Sequence, residues 1–492
     1  MIYTNTSWSF DMSQFDQVWY VILQICLLLG ALLVANMFRR MIPFLRKAFI
    51  PSALIGGFIL LIINIILKAC NVQFFGHDFI DQRIMQIITY HALAIGFIAS
   101  SLKIVDKDKR VPFIKSVQNG AITGGTYMLQ AVFGIGVSLI FFAILGGKFF
   151  YDAGILLPLG FGQGPGNALT WDINFSNVVD NYFDGQGSVG LTIASIGFLV
   201  ASIVGVAYMN IFRWKKQIVH KEKALTRKVE DFELQNEIED SESVDKLSIQ
   251  IAFVALCYGI SFLIMFFFKK VSDWTNVKLF NDVAWGFNFI WGVISATLVT
   301  LVIKFCMKKK IIHRRYINNY QMDRISGFAF DVMIIAGVSA IDIKAVGNYI
   351  WFIIALCAIG AIVTLFYVRI MTKLCFKDYQ HEAFLVNFGT LTGTASNGMI
   401  FLREVDPNNE TPMSNIFIVS QLPAMIFVAP LLLLLKMSGD TFVKCLIAMG
   451  VFLLLFLVYT AFLILTGLGV FSRKKKVGEA QVIDVESKDV KE

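Results

Sequence analysis

Apolar runs of about twenty residues, separated by short polar segments, recur along the whole chain, and each is long enough to predict a membrane-spanning helix. In the first half the runs are Trp19 to Met37, Ile50 to Leu67, Ile84 to Ile104, Val117 to Leu145 and Gly187 to Phe212. In the second half they are Leu247 to Phe268, about Val283 to Ile303, Ile325 to Val346, Tyr349 to Val368, Ile416 to Leu435 and Val443 to Leu468. Two stretches break this pattern. PLGFGQGPGNALTW, from Pro158 to Trp171, packs Gly160, Gly162, Gly164, Pro165 and Gly166 into seven residues, and each weakens a helix or removes a backbone donor. NFGTLTGTASNGMIFLR, from Asn387 to Arg403, is a second irregular stretch. Irregular backbone at membrane depth survives only inside protein or beside a water-filled cavity. Two interrupted segments at corresponding places in two halves point to the binding site of a secondary transporter.

The basic residues fix an expected orientation. They cluster after the first run (Arg39, Arg40, Arg46, Lys47), after the third (Lys103, Lys107, Lys109, Arg110), between Lys308 and Arg324, and at Arg473 to Lys476. By the positive-inside rule the N-terminus lies outside and the C-terminus in the cytoplasm. The first irregular stretch then opens from outside and the second from the cytoplasm. The predicted fold is an all-α polytopic membrane protein with two inverted-topology repeats of about five spans, each with a re-entrant loop, and an additional C-terminal span. The expected parts are 1–212 with a re-entrant loop at 150–171, a cytoplasmic connector at 213–246, 247–436 with a re-entrant loop at 380–403, an extra span at 437–471, and a cytoplasmic tail at 472–492.

Composition narrows the function classes. Of 492 residues 57% are hydrophobic and 16% charged, which excludes an ordinary soluble core. The net charge of +8 arises from the cytoplasmic loops, so no nucleic-acid partner is expected. Seven cysteines are scattered singly without CxxC spacing, arguing against a disulfide framework or a zinc site. No basic region precedes the first apolar run, so no cleaved signal peptide is expected. HExxH and GxSxG motifs are absent from the sequence, and an enzyme is not expected.

A re-entrant loop stops its helices inside the membrane, exposing N–H groups at one half-helix start and carbonyls at another half-helix end. Amides attract a carboxylate, and carbonyls attract sodium. The first stretch adds Gln163, Asn167, Thr170 and Asp172; the second adds Thr390, Thr392, Thr394, Ser396 and Asn397. Their hydroxyl and amide oxygens suit a small hard cation, and neither stretch offers the His or Cys that a transition metal prefers. Arg403 is either a bidentate clamp on a substrate carboxylate or a surface residue paired with Glu404 or Asp406. Asp331 and Asp342, eleven residues apart in one predicted span, would lie near one helix face. They could serve ion binding, proton movement or a helix end. His91 reads either as a proton carrier or as a histidine hydrogen-bonded within the bundle. The glycines of the fourth run read as helix packing.

GFGQGPGNALTW at Gly160, NFGTLTGTASNGM at Asn387 and IPSALIGG at Ile50 resemble the bacterial glutamate:sodium symporter family, over roughly Tyr20 to Leu435. The family's first motif runs Gly-His-Gly-Thr, where this chain has Gly162, Gln163, Gly164 and Pro165. In the second, Gly389, Thr394 and Asn397 fall where members carry Gly, Thr and Asn. The central connector and final span mark a distant branch. The resemblance implies a homodimer in the bacterial inner membrane, an elevator mechanism, and sodium-coupled uptake of glutamate, with sodium as coupling ion and no other cofactor. Taken with the residue chemistry, it assigns substrate binding to Gly162, Gln163, Gly164, Asn167, Thr394, Asn397 and Arg403. Sodium binding falls to Gly160, Thr170, Gly389, Thr390, Thr392, Ser396 and Asp331. The alternatives are a dicarboxylate or hydroxycarboxylate carrier and a sodium/proton antiporter.

Overall fold

A computed structural model describes residues 15–73, 78–103, 112–176, 187–215, 245–275, 284–311, 314, 316–406 and 410–468. The described residues contain helices and no strand, and ten of the helices are long and apolar enough to cross a membrane. The chain is an all-α multi-pass membrane protein. Its long helices are α1 (Phe15–Met41), α2 (Ser52–Ala69), α3 (Gln82–Leu102) and α4 (Phe113–Ile144). The first glycine-rich stretch forms α5 (Leu156–Gln163) and α6 (Pro165–Ser176), followed by α7 (Ser188–Trp214). Next come α8 (Lys246–Thr275), α9 (Asn288–Lys308), α10 (Asn319–Ser339) and α11 (Ile350–Cys375). The second irregular stretch forms α12 (Gln380–Thr392) and α13 (Ala395–Val405), and α14 (Gln421–Asp440) and α15 (Phe442–Gly467) close the bundle.

Polar caps set several of these starts. Asp81 accepts from the Ile84 amide at 3.0 Å, Asn318 from Gln321 at 2.8 Å, and Thr441 from Lys444 at 3.3 Å, each satisfying a donor the helix leaves free. The connector 213–246 lies mostly outside the described residues, as do the tail 472–492 and the chain before Phe15.

Between helices in lipid there is no hydrophobic drive, so close packing and interhelical hydrogen bonds carry the association. Helix α4 shows both. Its small residues admit Pro423 and Phe427 of α14 at Gly120 and Gly124. Its buried Asn119 donates to Ser420 Oγ at 2.8 Å and accepts from Asn387 at 2.8 Å. The Gly56–Gly57 pair of α2 likewise lies against Ala31 of α1 and Val338 of α10.

The span expected over Ile325 to Val346 is corrected. Helix α10 begins at Asn319 and ends at Ser339, and a separate turn, Ile343–Gly347, follows. Asp342 is the reason: its carboxylate accepts from the Lys344 amide at 2.9 Å, capping a new helix instead of continuing the old one. Asp331 and Asp342 therefore do not share a helix face. Helix α10 is too polar to count among the ten apolar spans, yet Met333 to Ser339 are all buried, and it packs along α2 and α3. The run Ile416 to Leu435 also divides, at Ser420, between the turn Met413–Val419 and α14.

Candidate functional site

Both irregular stretches are helices broken in the middle. The first breaks at Gly164, where φ is 82° and ψ is −176°, a conformation essentially reserved for glycine. Pro165 then starts α6, where a missing N–H costs nothing and the fixed φ favours the helix. The second breaks at Gly393, where φ is −143° and ψ is −107°, and at Thr394, whose backbone is extended. Helices α12 and α13 fold back on each other, and a Cβ at Gly389 would stand 2.9 Å from Gly398 Cα. A Cβ at Gly393 would stand 2.5 Å from Asn397 Nδ2 and 3.0 Å from the Gly389 carbonyl oxygen.

The two breaks meet. A Cβ at Gly164 would lie 3.5 Å from both Thr394 Cγ2 and Met333 Cε, which places the first break against the second and both beside α10. Gly337, one turn beyond Met333, approaches the Pro165 ring. Helix α4 then ties down the carbonyl end of each first arm. Tyr127 Oη donates to the Gly162 carbonyl at 2.6 Å, and Gln130 Nε2 donates to the Leu391 carbonyl at 3.1 Å and to Thr364 Oγ1 at 2.8 Å. Two residues three apart on one helix face thus hold the carbonyl ends of both broken helices.

Around this junction the buried polar atoms are not all satisfied. Asn167 Oδ1, Thr394 Oγ1, Asn397 Nδ2 and Gln130 Oε1 are buried and make no hydrogen bond. Each lies within about one helical turn of a break, directly or through the carbonyl it holds. A buried polar atom without a partner costs about 1–3 kcal/mol, and four of them stand at this one junction. Two are acceptors, one is a donor, and the Thr394 hydroxyl can be either. The junction also presents the amide-rich starts of α6 and α13, where a carboxylate is favoured.

Most of the expected site residues gather here. Gly162 supplies the carbonyl that Tyr127 holds, Gln163 Oε1 accepts from Asn167 Nδ2 at 2.8 Å, Gly164 and Thr394 lie at the breaks, and Asn397 is on the first turn of α13. Thr390 and Thr392 donate their hydroxyls to Val386 and Phe388 at 2.8 and 2.7 Å, which leaves their oxygen lone pairs for a cation. Ser396 is half-buried on the first turn of α13, and Gly389 of α12 is buried against Gly398 and Phe401 of α13. Gly160 is buried and packs on Ile193 of α7. Thr170 bonds back to the Gly166 carbonyl at 2.8 Å and borders a separate cavity.

Four residues are placed elsewhere. Arg403 is exposed, in the last turn of α13, about 9 Å along the axis from Asn397 at 1.5 Å per residue. Its expected pairings are taken by others: Glu404 bridges Arg213 at 2.9 Å, and Asp406 accepts from the Glu410 and Thr411 amides at 2.8 Å. Asp331 has Arg39 of α1 as its charge partner instead of a group at either break. Asp172 is a structural acceptor, buried and bonded to the Gly190 amide at 2.7 Å at the start of α7. His91 shares a hydrogen bond with the Tyr258 hydroxyl. Sequence reasoning missed Tyr127 and Gln130, although a glutamine in the middle of a glycine-rich apolar run was a usable signal.

No protein-family model matches the chain, and a search of curated proteins finds no relative. The fold and the site together define the class: a multi-pass membrane protein whose two broken helices meet at a polar, partly unsatisfied junction inside the bundle.

Proposed function

We propose that the chain is a secondary active transporter that takes up glutamate or a related acidic amino acid together with sodium. The observation that carries this reading is the junction of two helix breaks at Gly164 and Thr394, lined by buried acceptors and a buried donor without partners. Carbonyl ends and side-chain oxygens offer sodium hard ligands, while the amide-rich starts of α6 and α13 offer a carboxylate its donors. The resemblance of both loop motifs to glutamate:sodium symporters favours the same cargo. An elevator mechanism, a homodimer and the bacterial inner membrane belong to this proposal.

The sodium/proton antiporter alternative has less to stand on, because Asp342 caps a short helix and the charge acting on Asp331 is that of Arg39. A carrier of another dicarboxylate would use the same amides. The test is uptake of labelled glutamate into proteoliposomes, with and without an inward sodium gradient. Gradient-driven accumulation competed by unlabelled glutamate is expected. Absence of uptake by folded protein, across a panel of small carboxylates, would overturn the proposal.

A further inference from the structure

A cavity of about 410 Å³ lies between α3, α6 and the turn at Trp285 and Gly286, near the lower end of the roughly 300–1,000 Å³ typical of small-molecule pockets. It is separate from the junction. Its polar lining includes Arg83 and His91 from α3 and Thr170 and Asn174 from α6, and none of the described residues that line it is Asp or Glu. Among the described residues no carboxylate forms a salt bridge with Arg83. Among the described lining the exposed Arg83 is the one cationic side chain and no carboxylate stands against it, a lining that concentrates small anions. Its wall is fixed, because Tyr90 Oη donates to the Trp285 carbonyl at 2.7 Å and Asn288 Nδ2 donates to the Tyr90 carbonyl at 3.1 Å.

The cavity also points at the junction. On α6, Asn167, Thr170 and Asn174 stand at i, i+3 and i+7, so one polar stripe runs from the break to the cavity. Helix α3 runs alongside: two residues past His91, Leu93 packs on Gly166, where a Cβ would stand 2.9 Å from the Leu93 Cβ. That contact separates the cavity from the break.

We propose that this cavity is a receiving site for a small carboxylate, held by Arg83 before it passes along Asn174 and Thr170 to Asn167, with Leu93 against Gly166 as the barrier between the two positions. Naming a carboxylate cargo rests on the transport reading above; the preference for anions does not.

The test uses the full chain in lipid nanodiscs, with the exposed Cys26 and Cys70 replaced by serine and one new cysteine at the cavity, Asn174→Cys or, as a second position, Ile87→Cys. Modification by a negatively charged methanethiosulfonate is compared with that by a positively charged one, read by mass spectrometry of the labelled peptide. The anionic reagent is expected to react roughly five- to tenfold faster. Arg83→Gln should abolish that preference, Arg83→Lys should keep it, and millimolar L-glutamate should slow the reaction. Equal rates for the two reagents with Arg83 present would overturn the proposal. So would reaction seen only in detergent, which would mean that lipid fills the cavity. An Arg83-dependent anion preference with slowing by succinate but not glutamate would uphold the receiving site and overturn glutamate as the cargo.

Discussion

The two helix breaks reach the same place by different means. At Gly164 the backbone itself is unusual, with positive φ and extended ψ, and the following Pro165 restarts the helix at once. At Gly393 φ is negative, Thr394 is extended, and a Cβ at Gly393 would meet Asn397 Nδ2 at 2.5 Å and the Gly389 carbonyl oxygen at 3.0 Å. The first break depends on a positive φ at Gly164, and the second on close packing of α12 against α13, where a Cβ at Gly389 would stand 2.9 Å from Gly398 Cα. A mechanism that holds both breaks at one junction should therefore fail abruptly when the first is altered and more gradually when the second is.

The largest effect is expected at Gly164. Gly164→Ala forces a side chain into a glycine-only conformation at a cost of about 1–3 kcal/mol, so sodium-driven uptake should fall by roughly tenfold or more, with a lowered unfolding temperature. Next come two asparagines that look alike in sequence and differ in structure. Asn387→Ala removes donors to Asn119 Oδ1 at 2.8 Å and the Ala383 carbonyl at 2.8 Å, and should destabilise the sodium-free protein by about 1–3 kcal/mol in thermal or chemical unfolding. Asn397→Ala removes an amide nitrogen that has no partner. The sodium-free protein should keep its stability within about 0.5 kcal/mol, while sodium-dependent uptake drops roughly tenfold. Equal losses of resting stability in the two variants would erase the distinction between scaffold and ligand. Tyr127→Phe, which frees the Gly162 carbonyl, should cost about 1 kcal/mol and weaken sodium dependence slightly. Smallest of all, Arg403→Gln should change uptake by less than about twofold, because its side chain is exposed.

The breaks were the most legible part of the sequence, because glycine and proline act on the backbone wherever the chain places them. Gly164 and Pro165 announce the first, and the second lies inside the run from Asn387 to Arg403 with no proline to mark it. Spans were legible to within a few residues wherever hydropathy alone decides, as at α15. At α10 hydropathy misled: the segment AIDIKAV continues the apolar run, but the Asp342 carboxylate stops the helix by capping the next one. The site was half legible. Residues within the breaks could be named from chemistry, whereas Tyr127 and Gln130 come from a distant helix and enter only through tertiary contact. Arg403 drew attention as a charge near an apolar segment, yet its position at a helix end, which decides its exposure, depends on where α13 stops.

The central claim is that both broken helices build one sodium-linked site. It is tested most directly by the sodium-induced rise in unfolding temperature, measured for the parent protein, Asn167→Ala, Asn397→Ala and the double variant. A ligand that binds only the folded state raises stability as its concentration exceeds its dissociation constant. The account predicts a clear rise in the parent that is lost in either single variant, with no further loss in the double. A full sodium-induced rise retained in either variant, or losses that simply add, would contradict it.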